Sequence, residues 1–117
     1  MRIINKEIFN LHAEFCKTLA NPKRFMILAL LAPGEMTVGE MAKTIGVPLA
    51  NISQHLTVLK SRNIVKPRKD AQTVYYSLVD PRLTEACAMI RSILLDGMKS
   101  RGLVASDVDA GVMVAED

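Results

Sequence analysis

Apolar residues return at helical spacing through the first part of the chain. Ile4, Ile8, Leu11, Phe15 and Leu19 are separated by steps of four, three, four and four, which predicts an amphipathic helix over residues 4–20. Asn21-Pro22 ends it and starts another, because Asn before a Pro at the first helical position is a start signal. Phe25 to Leu31 is apolar nearly all round, so residues 22–32 are expected as a buried second helix, closed by Pro33-Gly34. Thr37 followed three residues later by Glu40 is a capping box, which predicts a short third helix through Met41, Ala42 and Ile45. Gly46 permits a sharp turn. A fourth helix follows Pro48, with Leu49, Ile52, Leu56 and Leu59 on its inner face, and ends near Arg62-Asn63, where Asn can take a left-handed cap.

From Ile64 the period changes from helical to alternating. Val74, Tyr76 and Leu78 alternate with Thr73, Tyr75 and Ser77, as in a half-buried strand, and Ile64 to Lys69 is its hairpin partner through a turn around Asp70-Ala71. Asp80-Pro81 starts a last helix in which Leu83, Cys87, Ile90 and Leu94 repeat, running to about Ser100. The fold class expected is mainly α with a small β-hairpin: about five helices plus a two-stranded antiparallel wing, a winged helix-turn-helix. Residues 1–101 form the domain in this reading. Residues 102–117 are small, acidic and weakly patterned, and are expected as a mobile C-terminal tail.

Composition narrows the class further. The chain has 117 residues and is 50% apolar, which suits a single domain with its own core and argues against two lobes around an enzyme cleft. Two Cys far apart do not make a disulfide framework, and the start MRIINKEIFNLH has no continuous apolar segment. A cytoplasmic protein with reduced thiols is expected. The longest apolar run, from Phe25 to Ala32, is eight residues, too short to span a bilayer, so no membrane association is expected.

The net charge of +3 hides an asymmetry. Six bases (Lys43, Lys60, Arg62, Lys66, Arg68, Lys69) lie between 43 and 69 with no acid among them, while Asp107, Asp109, Glu116 and Asp117 fall after residue 102 with no base. A basic body suggests a polyanion partner; a solvated Lys/Arg face is the plain alternative. The order of elements favours the polyanion. In a helix-turn-helix the short helix props the next one, whose free face enters the major groove, and the hairpin reaches flanking phosphates. Opposite the apolar stripe, the fourth helix carries Ala50, Gln54, Thr57 and Ser61, a small, polar, uncharged face suited to base contact. Asn51 and Gln54 are the base-reading candidates. Ser53, His55 and Lys60 flank that face, and Arg62, Lys66, Arg68 and Lys69 carry the positive strip into the hairpin.

Residues 19 to 78, from LANPKRFMILALL through SQHLTVLK to VYYSL, resemble the core of the ArsR family of small, dimeric, winged-helix repressors. The resemblance implies a homodimer built from the first and last helices and a double-stranded, pseudo-palindromic DNA operator. It places Ser53, Gln54 and His55 on the recognition helix and Arg68 to Tyr75, with Gln72, on the wing. Two departures stand out: Pro48 replaces a frequent Ser cap, and the wing turn Lys69-Asp70-Ala71-Gln72 lacks the frequent Gly.

Family metal sites are not matched. Glu35, Met36, Thr37, Val38, Gly39, Glu40, Met41 stands where the resemblance would put two thiolates, and Asp80, Arg82, Ile93 and Asp96 where another site would need His ligands. What remains is Cys16, Cys87 and His12. His12 and Cys16 share a helix face, and the resemblance would bring the helices of Cys16 and Cys87 together at the dimer interface. They are either small core residues or a thiol sensor for an oxidant, a reactive sulfur species or As(III). No cofactor is expected, and no nucleophile-base pair or facing carboxylates support an enzyme. The rival reading is a winged helix used as a protein-interaction module without a small-molecule effector.

Overall fold

A computed structural model describes residues 4–102 of the chain. The expected tail, 102–117, lies outside them except for Gly102. The elements run α1 (Lys6–Leu19), α2 (Pro22–Leu31), β1 (Met36–Thr37), α3 (Val38–Ile45), α4 (Leu49–Ser61), β2 (Val65–Asp70), β3 (Thr73–Leu78) and α5 (Arg82–Ser100). The described residues divide into two compact units between Val79 and Asp80, the first holding α1 to β3 and the second α5.

Local chemistry explains the boundaries. Asn5 and Asn21 each accept two backbone N–H bonds through Oδ1 and start α1 and α2, with Pro22 preset at the first turn of α2. The capping box forms: Thr37 Oγ1 accepts from Glu40 N at 3.2 Å, and Glu40 Oε1 accepts from Thr37 N at 2.9 Å. Gly46 ends α3 at φ +84, and Asn63 follows α4 at φ +59 in the left-handed cap foreseen for it.

The core of the first unit is aliphatic. Ile27, Leu28, Leu30 and Leu31 of α2, Met41 and Ala42 of α3, and Ile52, Leu56 and Leu59 of α4 are buried together with Leu19, Ile64 and Val65. Three expectations need correction. Leu49 is 56% exposed rather than core, because the first side chain of a helix points back past its N-terminus, away from the turns that pack. The second helix is not buried all round, since Phe25 and Met26 lie off its packed face and stay exposed. The strand alternation is also lost, and Val74 to Leu78 are all half-buried. That follows from a three-stranded sheet of order β1-β3-β2, in which the unforeseen β1 puts Met36 opposite Tyr76 and Thr37 opposite Tyr75.

The wing is a tight antiparallel hairpin. Val65 pairs Leu78 and Asp70 pairs Thr73, leaving the two-residue loop Ala71-Gln72. Ala71 takes φ +55, the left-handed region where a frequent Gly was missing from the sequence. Relief of Cβ strain at Ala71→Gly outweighs the extra freedom of glycine in the unfolded chain by about 0.5 kcal/mol. Urea denaturation should show that gain, with Ala71→Val moving the midpoint the other way; a less stable Ala71→Gly protein would contradict the strained-turn account.

Candidate nucleic-acid interface

Full burial of Ile52, Leu56 and Leu59 fixes which side of α4 meets solvent, and Ala50, Gln54, Thr57 and Ser61 are exposed there. Thr57 Oγ1 donates to the Ser53 carbonyl at 2.9 Å and Ser61 Oγ to that of Val58 at 2.6 Å, so both hydroxyl protons are used within the helix. Gln54 makes no such bond, and its amide keeps both donor and acceptor for an outside partner. Asn51 differs from expectation. It is half-buried, and its Oδ1 is buried without a hydrogen-bond partner, so it does not present the donor–acceptor pair that reading adenine needs. Ser53 is half-buried beside it.

His55 is held from behind. Arg24 Nε donates to His55 Nδ1 at 3.2 Å, and Arg24 Nη1 donates to the Thr18 carbonyl at 2.6 Å, so one guanidinium ties the end of α1 to α4. Burial, with the positive charges of Arg24 and Lys23, pushes the His55 pKa below its ordinary value. Arg24, Gln54, His55, Thr57 and Val58 line a shallow concavity of about 410 Å³ on this surface.

The basic strip survives in part. Lys60, Arg62, Lys66 and Lys69 are exposed, and no acid among the described residues pairs with them. Gln72 is exposed at the hairpin tip. Arg68 is engaged: its Nη2 and Nε donate to the two Glu35 carboxylate oxygens at 2.6 and 3.0 Å, its Nη1 lies 3.9 Å from Asp70, and its guanidinium carbon sits 4.8 Å from the Tyr75 ring centroid. The Arg68 hydrogen bonds hold the Glu35 carboxyl below the usual carboxylate range. The segment 43–69 has no acid in sequence, yet the fold supplies one from position 35. Neither Glu35 nor Arg24 was foreseen; the ANPKR stretch that contains Arg24 was the available signal.

On α1, His12 and Cys16 are exposed. Cys87 of α5 is buried. Asp80 accepts from the Arg82 guanidinium and backbone N–H, which pull its pKa down to about 2, so it serves the start of α5. Among the described residues no three His, Cys, Asp or Glu side chains gather as a metal site, and no helix is long and apolar enough to cross a membrane.

A family model described as a helix-turn-helix domain matches residues 19–68. The HTH-type transcriptional regulator Rv0081 of Mycobacterium tuberculosis H37Rv, itself uncharacterized, is 36% identical over 108 residues, 92% of this chain and 95% of its own. The Rv0081 crystal structure matches 80% of this chain and 95% of its own with a TM-score of 0.71 at 37% identity. The homodimeric winged helix-turn-helix domain of Mb0332 from Mycobacterium bovis, a possible ArsR-family regulator, matches 81% and 88% with a TM-score of 0.71 at 28% identity. Shorter matches, each 40% identical, are the biofilm growth-associated repressor of Xylella fastidiosa Temecula1 (76 residues, 65% of this chain and 62% of its own) and the transcriptional activator HlyU of Vibrio cholerae (74 residues, 63% and 66%). This chain belongs to the helix-turn-helix transcriptional regulators, in winged-helix form, which are DNA-binding proteins and not enzymes.

The Arg68–Glu35 pair carries a prediction for such a protein. Glu35→Gln removes the acid that offsets the wing, so duplex affinity should rise on all sequences at low salt, and the plot of log affinity against log salt should steepen by about one ion per protomer. Fluorescence anisotropy over a salt series measures both. Weaker binding by Glu35→Gln would mean that Glu35 holds Arg68 in the form that binds.

Proposed function

We propose that the chain acts as a homodimeric, sequence-specific repressor of the ArsR type on a pseudo-palindromic DNA operator. The observation that carries this is the exposed, uncharged face of α4 around Gln54, bordered by the unpaired cations Lys60, Arg62, Lys66 and Lys69. Gln54 reads a base edge. Ala50 and Thr57 allow close approach, Ser53 and His55 meet the flanking backbone with the lysines and Arg62, and Gln72 and Tyr75 belong to the wing surface. Arg68 keeps three N–H donors beyond the two that Glu35 accepts, but its charge toward phosphate is offset by that carboxylate. A homodimer is supported by apolar side chains that the protomer leaves exposed: Ile4, Ile8, Phe9 and Leu11 on the α1 side, and Met89, Ile90, Ile93 and Leu94 on α5. The homodimeric state of Mb0332 agrees with it. Because relatives include a repressor and an activator, repression is tested by a promoter reporter.

Light scattering at micromolar concentration should give about twice the 12.9 kDa chain mass. Gln54→Ala should cost about 1–3 kcal/mol on the operator and little on random duplex. Equal loss on both would remove the base-reading role, and a monomer would remove the two-fold half-site geometry.

A thiol signal is the second part of the proposal. Cys16 is exposed beside the apolar side of α1, within reach of a reagent, and Cys87 is the other thiol of the chain. The proposal requires the two Cα atoms to come within about 7 Å in at least one state, with the buried Cys87 thiol reached there, so that a disulfide can form by loss of two protons and two electrons to an oxidant, or As(III) can be held with His12 as a further ligand. Diamide, polysulfide or As(III) should then release wild-type protein from the operator and leave Cys16→Ser bound. Unchanged wild-type affinity under all three would leave Cys87 as a packing residue and Cys16 as an exposed thiol without a sensing role.

A further inference from the structure

We infer that Arg24, a residue of α2 outside the recognition helix, is a positioning residue for DNA binding: its Nε–H holds His55 as a neutral imidazole whose Nε2–H is offered to a DNA phosphate oxygen. This rests on the DNA-binding reading above.

A guanidinium is always protonated and has only donors, so the 3.2 Å contact from Arg24 Nε requires a bare lone pair on His55 Nδ1. The single ring proton must then sit on Nε2. That nitrogen is neither buried nor bonded to any described residue, so it is open to an outside acceptor. The ring belongs to the same shallow concavity as Gln54 and Thr57, on the exposed side of α4.

Arg24 is itself fixed at both ends. Its backbone N–H donates to Asn21 Oδ1 at 3.3 Å, and its Nη1 donates to the Thr18 carbonyl at 2.6 Å. The Asn21 cap and the Thr18 carbonyl therefore set where the guanidinium lies, and the guanidinium sets the ring. The charged groups acting on His55 are Arg24 and Lys23, both cationic and both from α2, and no carboxylate among the described residues bonds the ring. Protonating Nδ1 would break the Arg24 bond and set two cations against each other. His55 thus stays uncharged at neutral pH yet donates a proton with positive charge behind it, which suits an anionic oxygen.

Three variants test this, each checked for folding by circular dichroism and titrated on operator and random duplex at constant salt. Arg24→Met keeps the length of the side chain but has no donor. At pH 8 it should bind both duplexes about five- to tenfold more weakly, the range of one lost hydrogen bond. Without Arg24 the His55 pKa rises toward its ordinary value, so the deficit should shrink as pH falls from 8 to 5.5 and an imidazolium forms. Wild-type affinity should change far less over that window. Proton NMR of the His55 ring reports the same shift without DNA: titration below the ordinary range in wild type, and upward movement in Arg24→Met.

His55→Gln keeps an acceptor for Arg24 and a donor for phosphate, so its affinity should stay within about twofold of wild type, whereas His55→Leu should lose as much as Arg24→Met. These two hold the test open if Arg24→Met does not fold. Equal binding by His55→Gln and His55→Leu, or a wild-type His55 titrating at its ordinary value, overturns the inference. A wild-type protein that binds no duplex at all overturns the DNA-binding reading instead, and the NMR titration still reports on Arg24.

Discussion

The recognition surface depends on one constraint: α4 must keep Ile52, Leu56 and Leu59 out of water. Each fully buried aliphatic side chain contributes about 1.5–3 kcal/mol relative to exposure, so rotating the helix to bury its polar face would forfeit several kcal/mol. Gln54 and Thr57 face outward as a consequence. The capping box at Thr37 and Glu40, the left-handed Gly46 and the packing of α2 and α3 on α4 all serve to hold that orientation. Binding can therefore use a surface already formed, which lowers the ordering cost of recognition.

Two arginines show how charge is distributed around this surface. Arg24 is turned inward, onto a carbonyl of α1 and the ring of His55, and its charge acts through another side chain. Arg68 is at the surface but meets a carboxylate in bidentate contact, the same geometry it would use on phosphate. At 52% and 37% exposure the Arg68–Glu35 pair is solvated enough to contribute little to stability, so its weight falls on the potential of the wing. At the end of α4 and on the hairpin, Lys60, Arg62, Lys66 and Lys69 have no acid partner among the described residues, and Lys43 on α3 has none either.

The helices, the Asn21 and Thr37 caps, the change of period at Ile64 and the left-handed Asn63 were legible in the sequence, because each is set by residues within four positions of one another. The polar face of α4 was legible for the same reason. The Asn5 cap was not legible, because the apolar period runs on through Ile4 and hides the start of α1 at Lys6. The two-residue strand β1 was not, since Met36-Thr37 has no pattern of its own and exists only by pairing with Tyr75 and Tyr76. Leu49 was misplaced because period alone does not say where a helix stops being packed. The Arg68–Glu35 and Arg24–His55 pairs join residues 33 and 31 positions apart, so no local rule could find them. An acid-free stretch of sequence is a statement about neighbours in the chain, and Glu35 is a neighbour in space.

The α4 face and the unpaired cations of the wing together make the proposed duplex-binding surface. Affinity for a random duplex measured over a series of salt concentrations tests it most directly. If four or more phosphates per protomer are neutralised, log affinity of the dimer should fall linearly with log salt with a slope of about −7 or steeper, and Lys66→Ala, which removes one contact from each protomer, should make the slope shallower by about two. Affinity that does not change with salt, or a slope untouched by Lys66→Ala and Lys69→Ala together, would contradict it.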